Sequence, residues 1–137
     1  MLRVPMKNMK RLRALVVEDD RMIQTIIKAN LESIGIPTVL AGNGAEAIEA
    51  IKHHSFDFVL MDIRMPGQDG LDATRWIRDI EVGQTVRHVP IFALTTYDTI
   101  AHTQEIIDAG MDEHMVKPFR LERFMKILDK YFPGAVA

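Results

Sequence analysis

The sequence predicts an α/β protein: an open, doubly wound sheet of five parallel strands, (βα)5, with helices on both faces. Three observations carry this. Short apolar runs alternate with longer amphipathic ones along the whole chain, at roughly 20–25 residues per unit. The runs at 13–18, 57–61 and 89–94 are nearly continuous in Val, Leu, Ile and Phe, as strands covered on both faces are. Five such units are too few for a closed barrel of parallel strands, so the sheet stays open.

The elements follow in order. Residues 13–18 form the first strand. Ile23, Ile26, Ile27, Asn30, Leu31 and Ile34 then keep the three-four spacing of one buried helix face. Asp20 is placed to cap that helix, and Gly35-Ile36 to end it in a left-handed turn with a hydrophobic contact. Residues 36–41 are a weaker strand, with Pro37 suited to a strand start or an edge. Asn43 with Glu46 three residues on resembles a capping box and opens a helix to about residue 53. The third strand is 57–61, and Leu71, Thr74, Arg75 and Ile77 place a helix near 70–80. The fourth strand is 89–94. A helix from about Asp98 to Ala109 follows, ended by Gly110. Residues 112–116 make a short fifth strand. Leu121, Phe124, Met125, Leu128 and Tyr131 lie on one face of the last helix. One domain is expected over 12–132, with a flexible basic leader at 1–11 and a tail at 133–137.

Composition excludes several classes. The 137 residues are 47% apolar and 26% charged, enough for a core that needs no staples. With no cysteine there is no disulfide, iron–sulfur cluster, thiolate zinc site or cysteine nucleophile, and a reducing, cytoplasmic setting is expected. Apolar runs no longer than about five residues fall far short of a membrane span, so no membrane insertion is expected. The net charge of −2 hides an asymmetry. Residues 1–13 carry five basic and no acidic residues, leaving 12 basic against 19 acidic, a net of −7, in the remainder. An acidic body argues against direct nucleic-acid binding.

In a doubly wound sheet ligands gather outside the carboxyl ends of the strands. Those ends are unusual here. The first strand runs into Glu18-Asp19-Asp20, the third into Asp62, the fourth ends at Thr95, and Lys117-Pro118 lies just past the fifth. Taken singly, an Asp at a strand end is most often a turn or cap former, and a Lys-Pro is loop. Their joint placement on one sheet edge points to chemistry. Glu18, Asp19 and Asp62 would repel one another unless a cation intervenes. A hard divalent ion such as magnesium answers this with oxygen ligands and retained waters. With Lys117 as a compact cation and Thr95 as a hydroxyl, the set suits phosphoryl transfer to a carboxylate.

Glu18-Asp19, Met61-Asp62-Ile63-Arg64-Met65-Pro66 with Asp69-Gly70, Ala93-Leu94-Thr95 and Val116-Lys117-Pro118-Phe119 resemble the receiver domain of two-component response regulators. The resemblance covers about residues 12–132 and implies the flavodoxin-like form of the fold. It implies that Asp62 accepts a phosphoryl group from a phosphohistidine on a histidine kinase or histidine phosphotransfer protein. It implies Mg2+ held by Asp19, by Asp62, by the backbone carbonyl of Arg64 and, largely through water, by Glu18. Thr95 and Lys117 would bind the phosphoryl oxygens, and Lys117-Pro118 would be a cis peptide. The resemblance further implies a switch through the fourth helix, fifth strand and fifth helix to a downstream protein partner. Such a domain catalyses its own phosphorylation and acyl-phosphate hydrolysis without being a conventional turnover enzyme.

The sequence also departs from the family pattern. His114 stands where an aromatic switch residue is common, so it is either an exposed strand residue or a protonatable switch. Thr96 replaces a frequent alanine. Arg64 and Tyr97 border the path of attacking water. Arg120 stands where a good helix cap is expected. The architecture admits three other readings. An aspartyl phosphatase would want a second carboxylate two residues after its nucleophile, where Arg64 stands. A flavin carrier would want a Ser/Thr/Gly phosphate loop where Glu18-Asp19-Asp20 stand. A docking module would never be phosphorylated. The chain ends about five residues after the last helix, so a stand-alone regulator and a receiver from a larger protein both stay open.

Overall fold

The computed structural model describes residues 12–65, 69–84, 88–96 and 100–134. Five strands and five helices alternate: β1 (Ala14–Val17), α1 (Arg21–Ser33), β2 (Thr38–Ala41), α2 (Gly44–His53), β3 (Phe58–Asp62), α3 (Gly70–Gln84), β4 (Ile91–Thr95), α4 (Ile100–Ala109), β5 (Glu113–Val116) and α5 (Leu121–Tyr131). All strand pairs are parallel, in the order β2-β1-β3-β4-β5.

Handedness explains the layering. Crossovers between parallel strands are right-handed, so the direction of travel along the sheet decides the face a helix takes. The chain moves outward from β1 to β2, then reverses past β1 to β3, β4 and β5. Helix α1 therefore lies on one face and α2, α3 and α4 on the other, and α5 returns to cover the first. On the first face Ile27, Leu31, Phe124 and Leu128 pack on Val16, Leu60, Phe92 and Leu94. Phe58, Phe92 and Phe124 make a cluster with ring centroids 5.4–6.2 Å apart. On the second face Ala47, Ala73, Ile77, Ile106 and Ala109 pack on Leu15, Val17, Val59, Met61 and Ala93. Each fully buried large side chain contributes about 1.5–3 kcal/mol.

The predicted punctuation is largely present. The Asp20 carboxylate accepts from the Ile23 N–H, and the Asn43 side chain from the Glu46 N–H. Glu46 reaches back to the Gly42 N–H rather than to that of Asn43, so the box is wider by one residue. Gly35 and Gly110 end α1 and α4 at φ 86° and 102°. Helix α3 runs past the predicted 80 to Gln84, because Glu81 is held by Arg78 and accepts the Val89 N–H. The predicted start of the fourth helix at Asp98 lies outside the described residues. Asp62 belongs to β3 itself rather than to the loop beyond it. Arg120 is the α5 N-cap and makes no side-chain cap bond. No helix among the described residues is long and apolar enough to cross a membrane.

Candidate functional site

The reversal of strand order falls between β1 and β3. It opens a crevice at their carboxyl ends, since helices leave the two strands on opposite faces. Glu18 extends β1 by donating its N–H to the Ala41 carbonyl (3.0 Å), which buries its side chain. Gln24 of α1 donates to the Glu18 carbonyl (2.5 Å) and fixes that turn. Asp19 is exposed at the crevice mouth. Asp62 closes β3 and is 1% exposed; the Arg64 N–H donates to its Oδ1 (3.2 Å). Behind it Gly70 opens α3 so near the Asp62 carbonyl that a Cβ would collide with it.

Lys117 arrives from β5. Its N–H donates to the Thr95 carbonyl (2.7 Å), and the Lys117-Pro118 peptide is cis, as the resemblance implied. Its Nζ lies 2.9 Å from Asp62 Oδ1 and 3.7 Å from Glu18 Oε1. Carboxylate oxygens of Glu18, Asp19 and Asp62 lie within 4.8 Å of one another. The anticipated convergence of acids with a lysine is therefore present.

Charge in this confined space is perturbed. Burial, and next the neighbouring Asp62 charge, raise Glu18 to about 7. Burial also raises Asp62, although Lys117 pulls the other way. Burial works against the Lys117 ammonium, but the hydrogen bond and charge of Asp62, with Glu18 and Asp19 behind, raise it overall. Glu18 Oε1 is buried with no hydrogen-bond partner. An orphaned carboxylate oxygen facing two further acids is a fitting donor set for a hard divalent cation.

Thr95 ends β4 and is 1% exposed. Its Oγ1 lies 2.7 Å from Nε2 of His102 on α4. No motif or spacing in the sequence announces His102. His114 is half-buried on β5 in register with Ala93, whose side chain lies in the α2–α3–α4 layer. Thr96 and Arg64 are exposed, and Tyr97 lies outside the described residues. A cleft of about 570 Å3 sits at the opposite end of the strands between His53, Glu81 and His88, far from this chemistry.

Residues 14–129 match the response regulator receiver domain family. The chain belongs to that family. It is a receiver domain of two-component phosphorelay signalling. It is 29% identical over 121 residues to the polar-differentiation response regulator DivK of Brucella anthropi, covering 88% of this chain and 96% of that one. The receiver domain of the sensor histidine kinase PA1611 from Pseudomonas aeruginosa superimposes with a TM-score of 0.77 at 34% identity, covering 89% of this chain and 98% of that one. That structure holds a magnesium ion coordinated in the active-site cleft. A chain from the complex of the Saccharomyces cerevisiae phosphotransfer protein Ypd1 with the receiver domain of its response regulator Ssk1 gives a TM-score of 0.81 at 26% identity, covering 88% of each chain. Receiver domains typically bind Mg2+, and the acidic cluster of this one is consistent with that.

Proposed function

We propose that this receiver domain takes a phosphoryl group onto Asp62 from a phosphohistidine and signals through its α4–β5–α5 face to a protein partner. The observation that carries the proposal is the buried Asp62 carboxylate 2.9 Å from Lys117 inside a cluster of three acids. An Asp62 oxygen attacks phosphorus as the P–N bond breaks. The bonding pair leaves with the imidazole, and an acyl phosphate remains on Asp62. The carboxylates of Glu18, Asp19 and Asp62 and the backbone carbonyl of Arg64 would hold Mg2+, which offsets charge on the phosphoryl oxygens when bound. Lys117 exchanges the bare carboxylate for a phosphoryl oxygen, and the Thr95 hydroxyl donates to another.

Residues 12–132 are the working unit, and the setting is the cytoplasm with its histidine kinase or phosphotransfer protein. Thr95 and His114, both on the α4 side of the sheet, couple the site to the output face. The test is incubation with Mg2+ and a small phosphodonor, followed by intact mass and peptide mapping. One phosphoryl group on the peptide bearing Asp62 is expected, absent with chelator and absent in Asp62→Asn. Full labelling of Asp62→Asn overturns the assignment.

A further inference from the structure

We propose that His102 is a positioning residue for phosphoryl binding: it controls where the Thr95 hydroxyl sends its single proton, and so ties phosphorylation to pH. This rests on the reading of Asp62 and Thr95 above. The contact is specific. His102 Nε2 lies 2.7 Å from Thr95 Oγ1, and the imidazole is 11% exposed, shielded from competing water. Its Nδ1 lies 3.7 Å from Glu105 Oε1, and the proposal takes the tautomer that carries its proton on Nδ1. Neutral imidazole then accepts at Nε2 and draws the Thr95 hydroxyl proton toward α4. A phosphoryl group on Asp62 offers only acceptor oxygens, so it needs that same proton. Neutral His102 competes with it.

Protonation removes the competition. An imidazolium can only donate at Nε2, so it donates to Thr95 Oγ1 and leaves the hydroxyl proton for the phosphoryl oxygen. By linkage, phosphoryl binding must raise the proton affinity of His102 by the factor by which protonation raises phosphoryl affinity. Among the described residues the surrounding charges are these, element by element. On α4 the described acid facing His102 is Glu105. On β5, His114 points into the same layer, while Glu113 is engaged by Lys130 and Tyr131. At the strand ends Lys117 is engaged by Asp62 and Glu18. On α3, Arg78 is engaged by Glu81 and Asp112 at the far end of α4.

The test uses beryllium fluoride with Mg2+ as the phosphoryl mimic. First, the His102 ring is titrated by NMR with and without the mimic. Next, mimic affinity is measured from pH 6 to 8 in the native chain, His102→Leu and His102→Gln. The expected result is a His102 titration moved upward by the mimic, and an affinity gain of about 5- to 10-fold from pH 8 to 6 over and above that of either variant. The variants keep whatever slope Glu18 and Asp62 impose, so the difference isolates His102. Glutamine can meet Thr95 but cannot titrate, so a merely structural role would leave its pH profile like that of the native chain. An unmoved His102 titration, or equal slopes in all three proteins, overturns this inference alone. Failure of the native chain to bind the mimic at any pH overturns the site reading and this inference with it.

Discussion

Glu18 shows how a single buried residue adds a pH dependence to the stability of the domain. Its folded value near 7 stands well above the ordinary 4.5, from burial first and the Asp62 charge next. Below 4.5 both folded and unfolded chains hold the proton, and nothing is lost. Between 4.5 and about 7 the unfolded chain releases a proton that the folded chain retains, so metal-free stability falls as pH rises. Above 7 the cost is constant, on the order of a few kcal/mol. Asp62 is raised too and adds in the same direction. The metal-free protein should therefore melt several degrees lower at pH 8 than at pH 5. Mg2+ should raise Tm strongly at pH 8 and little at pH 5, and Glu18→Gln should raise the metal-free Tm at pH 8. Calorimetry at the two pH values decides this, and a Tm independent of both pH and Mg2+ would contradict the cation-cage reading.

At the scale of elements, two helix starts differ instructively. Helix α3 begins at Gly70, where an added Cβ would meet the Asp62 carbonyl and come within 2.9 Å of Ile63 Cα and Met61 Cγ. Backbone leaves no flexible tip to move aside. Gly70→Ala should cost about 1–3 kcal/mol and slow phosphoryl uptake by displacing Asp62. Urea melts and labelling rates test both effects together, and a variant that matches the native chain in both would show that α3 can retreat freely. Helix α5 begins at Arg120 with no side-chain cap bond. Arg120→Ser supplies the missing acceptor and should raise stability by about 0.5–1 kcal/mol, read as a higher urea midpoint with unchanged slope.

Across the whole molecule, the proposed switch requires that the site at one sheet edge be felt at α4, β5 and α5. The links are Lys117, bonded to Asp62 by its side chain and to Thr95 by its backbone, and Thr95, bonded to His102 of α4. Amide exchange over residues 100–116 should change on adding Mg2+ and beryllium fluoride while that of β1 and β3 holds; an unchanged profile there would sink the coupling. Much of this was legible in the linear chain. Doubly buried strands read as unbroken apolar runs, and helix faces and caps follow local periods and local hydrogen bonds, so Asp20, Asn43, Gly35 and Gly110 could be placed from neighbours alone. Acids directly after apolar runs marked one working edge of the sheet. What the chain order could not reveal were contacts made across packed layers. His102 meets Thr95 only because α4 lies over β4, and Gly70 presses on Asp62 only because α3 folds back beneath β3. The orphaned Glu18 oxygen arises only when β1 and β3 stand side by side. Sequence by itself determined which groups are present and on which edge, because those depend on short-range pattern. Tertiary structure decided which atoms compete for which protons and charges, because distances across layers of a packed sheet have no counterpart in sequence spacing.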